Sequence, residues 1–275
     1  MNFIDPKTLM GDLVAVARRA GDAILDIYDQ DDLGVVTKDD DSPLTRADLA
    51  SHRVIRDALK ALTPQTPLLS EESAEIGFDT RKTWAEYWLV DPLDGTKEFI
   101  NRNGEFTVNI ALIREGRPVA GVVHVPVRGQ TYYGIVGEGA WRRDGDADPQ
   151  VISTRRPPAE TPVVVGSRSH ANPKLEQALA PLGGHEMTSM GSSLKFCLVA
   201  EGSADLYPRL GPTSEWDTGA AQAVVEAAGG VVVGLEGDPL PYNAKDEYLN
   251  PWFLVLGDPS HGWTDKLNLS VAGDA

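Results

Sequence analysis

Residues Trp88 to Phe99 read WLVDPLDGTKEF. An apolar run of strand character, YWLV, ends there on two carboxylates three apart, with Pro92 between them and Gly95-Thr96 directly after. A short, wholly apolar strand is buried, so its end lies near the core, where adjacent acids repel one another and lose hydration. Proline fixes φ and discourages the strand from continuing, so the chain can turn and bring Asp91 and Asp94 together. Gly95 lets backbone approach a ligand closely. Thr96 and the amides after it open a short helix over KEFINRN, and a helix N-terminus cradles phosphate.

Other acids stand at comparable places. Glu71 and Glu72 follow the strand-like LLS, and Asp217 follows Trp216 where a helix opens into AAQAVVEAAGG. Hard divalent cations bound through oxygen relieve the cost of gathering carboxylates, and Mg²⁺ suits such a set. Metal-assisted phosphate hydrolysis is the chemistry this combination points to. No member carries the argument alone. With 41 acidic residues a D-x-x-D arises by chance, Glu71-Glu72 alone reads as a solvated loop, and Asp217 alone reads as a helix cap. Thr45-Arg-Ala-Asp48 likewise resembles a capping box, with Asp in place of Glu or Gln.

The rest of the chain sets these acids in a layered protein. Asp5-Pro6 reads as an N-cap with proline at the first helical position, and Leu9, Leu13, Val16, Ala20, Ile24 and Ile27 recur at helical spacing. A second helix ends at Thr63-Pro64. TPLLS, YWLVD, FTVNIALI, PVAGVVHV and TYYGIV read as strands, with REGR and PVRGQ as turns of an antiparallel meander. Beyond WRRDGDADPQ, strands and helices alternate in α/β order. The spacing places a soft boundary near residue 150, between an α+β half (1–150) carrying most of the acids and an α/β half (151–275). The net charge of −16 argues against a nucleic-acid polymer as partner, which Lys and Arg must hold. Cys197 stands alone, so no disulfide forms within the chain, as suits a reducing cytosol. No apolar stretch reaches the length of a membrane span, and the N-terminus lacks the pattern of a secretory signal.

LLSEES, WLVDPLDGTKEFINRNGEFTVNIAL, GSSLKFCLVAEGSADLYPR and EWDTGAAQAVVEAAGG together resemble the magnesium-dependent, lithium-sensitive phosphatases typified by inositol monophosphatase. DPLDGTKEF is closer to the bacterial 3'(2'),5'-bisphosphate nucleotidase branch, and the similarity runs from about Asp48 to Pro251. The resemblance implies an αβαβα sandwich with the active site between its halves, and two or three Mg²⁺ ions. It makes Glu71, Asp91, Asp94, Asp217 and the carbonyl of Leu93 the metal ligands, and of the acid pair favours Glu71 over Glu72. It makes Gly95 and Thr96 phosphate contacts, and Asp48 the partner that orients Thr96; with Glu71, that pair activates the attacking water. WDTGAAQAV departs from the more usual WDTAAGQAV in the position of its glycine. The substrate implied is a small nucleotide bisphosphate, adenosine 3',5'-bisphosphate or its sulfated relative 3'-phosphoadenylyl sulfate, in nucleotide recycling linked to sulfate assimilation. An inositol or sugar monophosphate is the alternative. Arg168, His170, Ser192, Lys195 and Arg209, joined by Asp217, are the candidate contacts to the rest of that substrate, since a second phosphate needs cations beyond a metal cluster. The resemblance leaves open a homodimer, and adds to a cytoplasmic location the option of peripheral association with the inner membrane.

Other classes compete weakly. Ser192-Ser-Leu-Lys195 fits the S-x-x-K of serine acyl-transfer enzymes, but the companion S-D-N and K-T-G are absent. Asp144, Asp146 and Asp148 begin like a calcium loop, then place Pro149 where glycine is needed and Arg155 where glutamate is needed. His185-Glu186 lacks the second histidine of a zinc-protease motif.

Overall fold

A computed structural model describes residues 3–37, 43–167 and 173–272. Helix α1 (Pro6–Tyr28) opens as its sequence predicts: Asp5 caps it, accepting from the Lys7 amide at 3.0 Å, and Pro6 takes the first position. Leu13, Val16, Ala20 and Ile24 form its buried stripe. A two-residue ladder, β1 (Val36–Thr37) with β2 (Pro43–Leu44), leads to α2 (Arg46–Leu62), which ends at Thr63. Strand β3 (Leu68–Ser70) runs straight into a 3₁₀ turn, Glu71–Ser73, and short α3 (Phe78–Arg81) follows.

Strand β4 (Glu86–Asp94) does not stop at Pro92. It is interrupted there by a bulge between Asp91 and Asp94, after which Asp94 pairs with Thr107. Proline breaks one step of the ladder, and the bulge absorbs it. Helix α4 (Thr96–Ile100) follows within two residues. The meander then runs through β5 (Thr107–Arg114), β6 (Arg117–Val125), β7 (Gln130–Ile135), β8 (Gly139–Asp144) and β9 (Gln150–Ile152). The β5–β6 turn has positive φ at Glu115 and Gly116, as tight hairpins prefer. These strands form a seven-stranded sheet in the order β3-β4-β5-β6-β7-β8-β9, antiparallel except for the parallel β3–β4 pair.

WRRDGDADPQ forms the last hairpin of this sheet, and the first strand of the other sheet begins beyond it at Val163. Its charges find partners: Arg142 pairs with Glu201 and Asp144.

The second sheet comprises β10 (Val163–Ser167), β11 (Glu186–Met190), β12 (Leu206–Arg209), β13 (Val231–Gly234) and β14 (Phe253–Leu256), in the order β11-β10-β12-β14-β13. It is mixed: β10 is parallel to β11 and β12, while β14 is antiparallel to β12 and β13. Helices α5 (Pro173–Leu179), α6 (Leu194–Ala200), α7 (Glu215–Ala227) and α8 (Trp263–Lys266) complete the chain.

Three apolar clusters define the layers. The first joins α1 and α2 to one face of the large sheet. The second buries α6 and α7 between the two sheets and includes Cys197. The third, around Trp263 and Leu179, lies under α5 and α8 on the outer face of the small sheet. The stack is αβαβα. No helix among the described residues is long and apolar enough to cross a membrane.

Central α7 lies unusually close to the large sheet. A Cβ on Gly121 of β6 would stand 2.1 Å from the Ala220 carbonyl oxygen, and one on Gly134 of β7 would stand 2.8 Å from the Ala227 Cβ. On the displaced glycine, Gly219, a Cβ would stand 3.0 Å from Leu89 Cδ2. Glycine at these sheet positions lets the helix approach, and the approach sets the depth of Asp217. Gly121→Ala must therefore push α7 away, with a cost of about 1–3 kcal/mol or more. Urea unfolding should show that loss, whereas Gly137→Ala, with open space around it, should show mainly the smaller cost of its positive φ.

Candidate metal and phosphate site

The bulge of β4 and the first turn of α7 meet. Carboxylate oxygens of Asp91, Asp94 and Asp217 all lie within 4.8 Å of one another. Each is held by a different device. Asp91 sits on the buried strand and accepts the Leu93 amide at 3.0 Å, which shapes the turn around Pro92. Asp94 Oδ2 receives the Ser193 amide at 2.6 Å, the Asn109 side-chain amide at 3.3 Å and the Thr107 hydroxyl at 3.4 Å. Asp217 is the third residue of α7 and accepts the Ser214 amide at 3.0 Å in a reciprocal capping box. The cap reading and the cluster reading of Asp217 are both true.

Burial pushes all three carboxyls up. For Asp91 the charges of Glu71, Asp94 and Asp217 add to burial. For Asp217 those of Asp94 and Glu71 do. Asp94 rises less freely because the Lys195 ammonium opposes it. Glu71 stands in the 3₁₀ turn, outside the 4.8 Å group but lining the same cavity and near enough for its charge to reach Asp91 and Asp217. The charge of Glu72 acts on Asp48 and His52. An all-oxygen, all-acid donor set with unrelieved repulsion fits a hard divalent cation.

Asp48 divides its two oxygens. Oδ2 takes the Thr45 amide at 2.7 Å and the Thr45 hydroxyl at 2.6 Å, closing the capping box of α2. Oδ1 accepts the Thr96 hydroxyl at 3.4 Å, and that hydroxyl also lies 3.4 Å from the Leu93 carbonyl. Gly95 takes the left-handed conformation at φ 93°, and a side chain there would press on Glu105, Glu98 and Ser192.

These residues line one wall of a cavity of about 720 Å³, shared by Glu71, Asp91, Leu93, Asp94, Gly95, Thr96 and Asp217. The lining also has an apolar part, with Tyr207, Pro208, Leu210, Pro212 and Leu249. Arg209 lines the cavity as well, tethered to the Thr213 hydroxyl and, at 2.5 Å, to the Pro212 carbonyl. A smaller chamber of about 120 Å³ opens beside it, lined by Ser192 and Lys195. Lys195 is buried, and desolvation draws its ammonium down to about 8 even though Asp94 acts to raise it. Its Nζ donates to the carbonyls of Ser192, at 2.5 Å, and Met190, at 3.5 Å. The Ser192 hydroxyl is buried without a hydrogen-bond partner among the described residues. Ser192 and Lys195 therefore form no nucleophile–base pair, which answers the S-x-x-K reading. Arg168 and His170 lie outside the described residues.

Thr107, Asn109 and Ser193 escaped the sequence reading. Thr107 and Asn109 alternate on one face of β5, opposite Asp94 and Asp91 in register. Ser193 Oγ donates to Asn109 Oδ1 at 2.9 Å. A buried amide in the apolar run FTVNIALI was the available signal, since such a group demands partners.

Known proteins resemble the chain throughout. The family model for the inositol monophosphatase family matches residues 5–257. The 3'(2'),5'-bisphosphate nucleotidase CysQ of Escherichia coli (strain K12) is 52% identical over 249 residues, covering 90% of this chain and 99% of that protein. CysQ of Haemophilus influenzae is 37% identical, covering 93% and 95%. Among solved structures, CysQ from Bacteroides thetaiotaomicron superposes with a TM-score of 0.81 at 40% identity, covering 93% of this chain and 99% of that one. The inositol monophosphatase of Anabaena (Nostoc) sp. PCC 7120 shares the fold, with a TM-score of 0.74 at 24% identity, covering 94% and 95%.

The raised carboxyls make stability depend on pH and cation together. A carboxyl raised in the folded state contributes stability below its unfolded value, near 3.8, which is lost as pH rises through the folded value; for Asp217 that value is about 8. A divalent cation needs the carboxylates deprotonated. Its addition to chelated protein should thus raise the melting temperature more at pH 8 than at pH 5. An equal or larger rise at pH 5 would show that the cation binds elsewhere.

Proposed function

We propose that this chain, which belongs to the inositol monophosphatase family, is a metal-dependent 3'(2'),5'-bisphosphate nucleotidase that converts adenosine 3',5'-bisphosphate to AMP and phosphate. The observation that carries the reading is the convergence of Asp91, Asp94 and Asp217 at the wall of a cavity large enough for a nucleotide. The identity to the E. coli nucleotidase over nine-tenths of the chain supports the choice of substrate.

Asp91, Asp94 and Asp217, with Glu71 and the Leu93 carbonyl, hold Mg²⁺, two or three ions. When bound, the metal neutralises phosphate charge and lowers the pKa of water. The chain's own groups do the rest. Asp48 accepts the Thr96 hydroxyl, so the threonine oxygen can take a proton from the attacking water as it passes its own to the Asp48 carboxylate. Gly95 and Thr96 offer first-turn amides, which lack acceptors within their helix, to the phosphoryl oxygens. Water oxygen bonds to phosphorus, the bond to the ribose oxygen breaks, and that oxygen leaves as a hydroxyl by taking a proton from solvent water, while Asp48 returns to solvent the proton it received. Lys195 and Ser192 in the side chamber, with Arg209, supply charge and hydrogen bonds for the remote phosphate, alongside Arg168 and His170. The apolar wall suits adenine. 3'-Phosphoadenylyl sulfate presents the same features and is a second substrate. The lone buried cysteine fits a reducing compartment, and the reaction is assigned to the cytoplasm.

Phosphate release from a panel of nucleotide and inositol phosphates tests the whole reading. Adenosine 3',5'-bisphosphate should lead the panel, and chelation should abolish turnover, as should Asp94→Asn or Asp217→Asn in a protein that still melts cooperatively. A preference for inositol 1-phosphate would replace the substrate, and full activity in chelator would end the mechanism. Lithium and excess calcium should inhibit.

Lys195→Met separates substrate recognition from chemistry. A charge-assisted hydrogen bond contributes about 1.5–3 kcal/mol, or about 10- to 150-fold. kcat/KM for the bisphosphate should fall by that factor while a simple monophosphate changes little. Equal losses on both would place Lys195 with the reacting phosphate, where its charge already touches Asp94.

Thr96→Ala and Asp48→Ala should lose rate by similar factors, and the double variant little more, because a hydroxyl and the carboxylate that orients it act together. Asp48→Ala also opens the α2 capping box, so its stability should drop by about 1 kcal/mol while that of Thr96→Ala should not. Fully additive rate losses would exclude a shared role.

A further inference from the structure

Residues 240–250 form a strap across the first turn of α7. On that side, the Tyr248 carbonyl accepts the Glu215 amide at 2.8 Å. Asn243 donates its backbone amide to both Glu215 oxygens, at 3.0 and 2.9 Å. Asn250 donates to the Ser214 carbonyl at 2.9 Å. On its other side the strap grips the segment that follows Glu71. The Tyr248 hydroxyl donates to the Ala74 carbonyl at 2.6 Å. Its ring lies 4.5 Å from the Arg81 guanidinium, whose side chain is fully buried and also lies against Phe78. Asn243 receives Arg81 Nη1 at 2.7 Å and donates its amide to the Arg81 carbonyl at 2.6 Å.

Glu71 lies three residues before Ala74, and Asp217 two after Glu215. The two acids come from distant parts of the chain, and their charges repel. Pairing of β3 with β4 sets Glu71 beside Asp91, while Asp217 arrives on α7, and the strap is the direct tie between the Glu71 segment and the first turn of that helix. We infer that Tyr248, assisted by Asn243, is a positioning residue: by tying the Ala74 carbonyl to the start of α7 it holds Glu71 within reach of the three aspartates and so sets the affinity of the acidic site for a divalent cation.

This inference rests on the metal reading of the site, and the test separates the two. Mg²⁺ is titrated into metal-free protein by calorimetry, without substrate. Tyr248→Phe removes one hydroxyl and keeps both the ring on Arg81 and the backbone bond to Glu215. Its Kd for Mg²⁺ should rise about 3- to 10-fold, the value of one hydrogen bond. In a Glu71→Gln background the same change should have no further effect on Kd, because the ligand it positions is already lost. Asn243→Gly keeps the left-handed backbone at that residue, φ 53°, removes the amide, and should follow the same pattern. A merely structural strap predicts a lower melting temperature with an unchanged Kd, or the same loss of affinity in both backgrounds. Either result overturns the inference. Wild-type protein that takes up no Mg²⁺ overturns the metal reading itself, and the inference falls with it.

Discussion

The repulsion among Asp91, Asp94 and Asp217 is what the surrounding structure has to contain. Two like charges about 5 Å apart repel by about 3–4 kcal/mol at an effective dielectric near 20, and three such pairs meet here at the wall of the cavity, with Asp91 buried and Asp94 and Asp217 half-buried. A hydrogen bond to a charged group returns about 1.5–3 kcal/mol. The donors on Asp94 and the single amides on Asp91 and Asp217 therefore soften the repulsion without removing it. Protons or cations must complete the balance, and at neutral pH cations do so without silencing the carboxylates. The scaffold is correspondingly distributed: one acid on a buried strand, one beyond its bulge, one on a central helix pressed into the sheet through Gly121 and Gly134.

Two of the acids draw their precision from helix caps. Asp48 and Asp217 are both third residues of capping boxes. In each, one oxygen satisfies a backbone amide that would otherwise lack a partner. That bond fixes the rotamer and leaves the second oxygen at a set place above the first turn. Capping and site chemistry are then two uses of one carboxylate, and a search that treats them as rivals discards half the site.

The two sheets contribute differently. The large sheet and its helices bring the charge, while the small sheet and the loops around β12 bring the apolar wall, Arg209 and the chamber at Lys195. Ser193 joins them, since its amide binds Asp94 and its hydroxyl binds Asn109, one residue from Ser192. The side chamber at Ser192 therefore adjoins a carboxylate of the acidic cluster through its neighbour Ser193.

The sequence by itself determined the local elements and the residue types. Asp5-Pro6 started α1, LLSEES and YWLVDPLDGT placed acids at strand ends, and EWDTGAAQAVV opened a helix on Asp217, because caps, proline and apolar periodicity act over a few residues. It also supplied the family, since several specific motifs stood together. Only tertiary structure decided the rest. WRRDGDADPQ turns between β8 and β9, which pair Trp141 with Val151, and Arg142 there finds Glu201 some 59 residues away, a partner that no local pattern contains. β4 resumes past Pro92 because β5 offers Thr107 for pairing. Glu71 stands beside the aspartates rather than among them, at a separation held by a strap from residues 240–250. Distances between acids that lie more than a hundred residues apart follow from how layers pack, and packing depends on the glycine contacts and cross-chain hydrogen bonds that only the folded chain brings together.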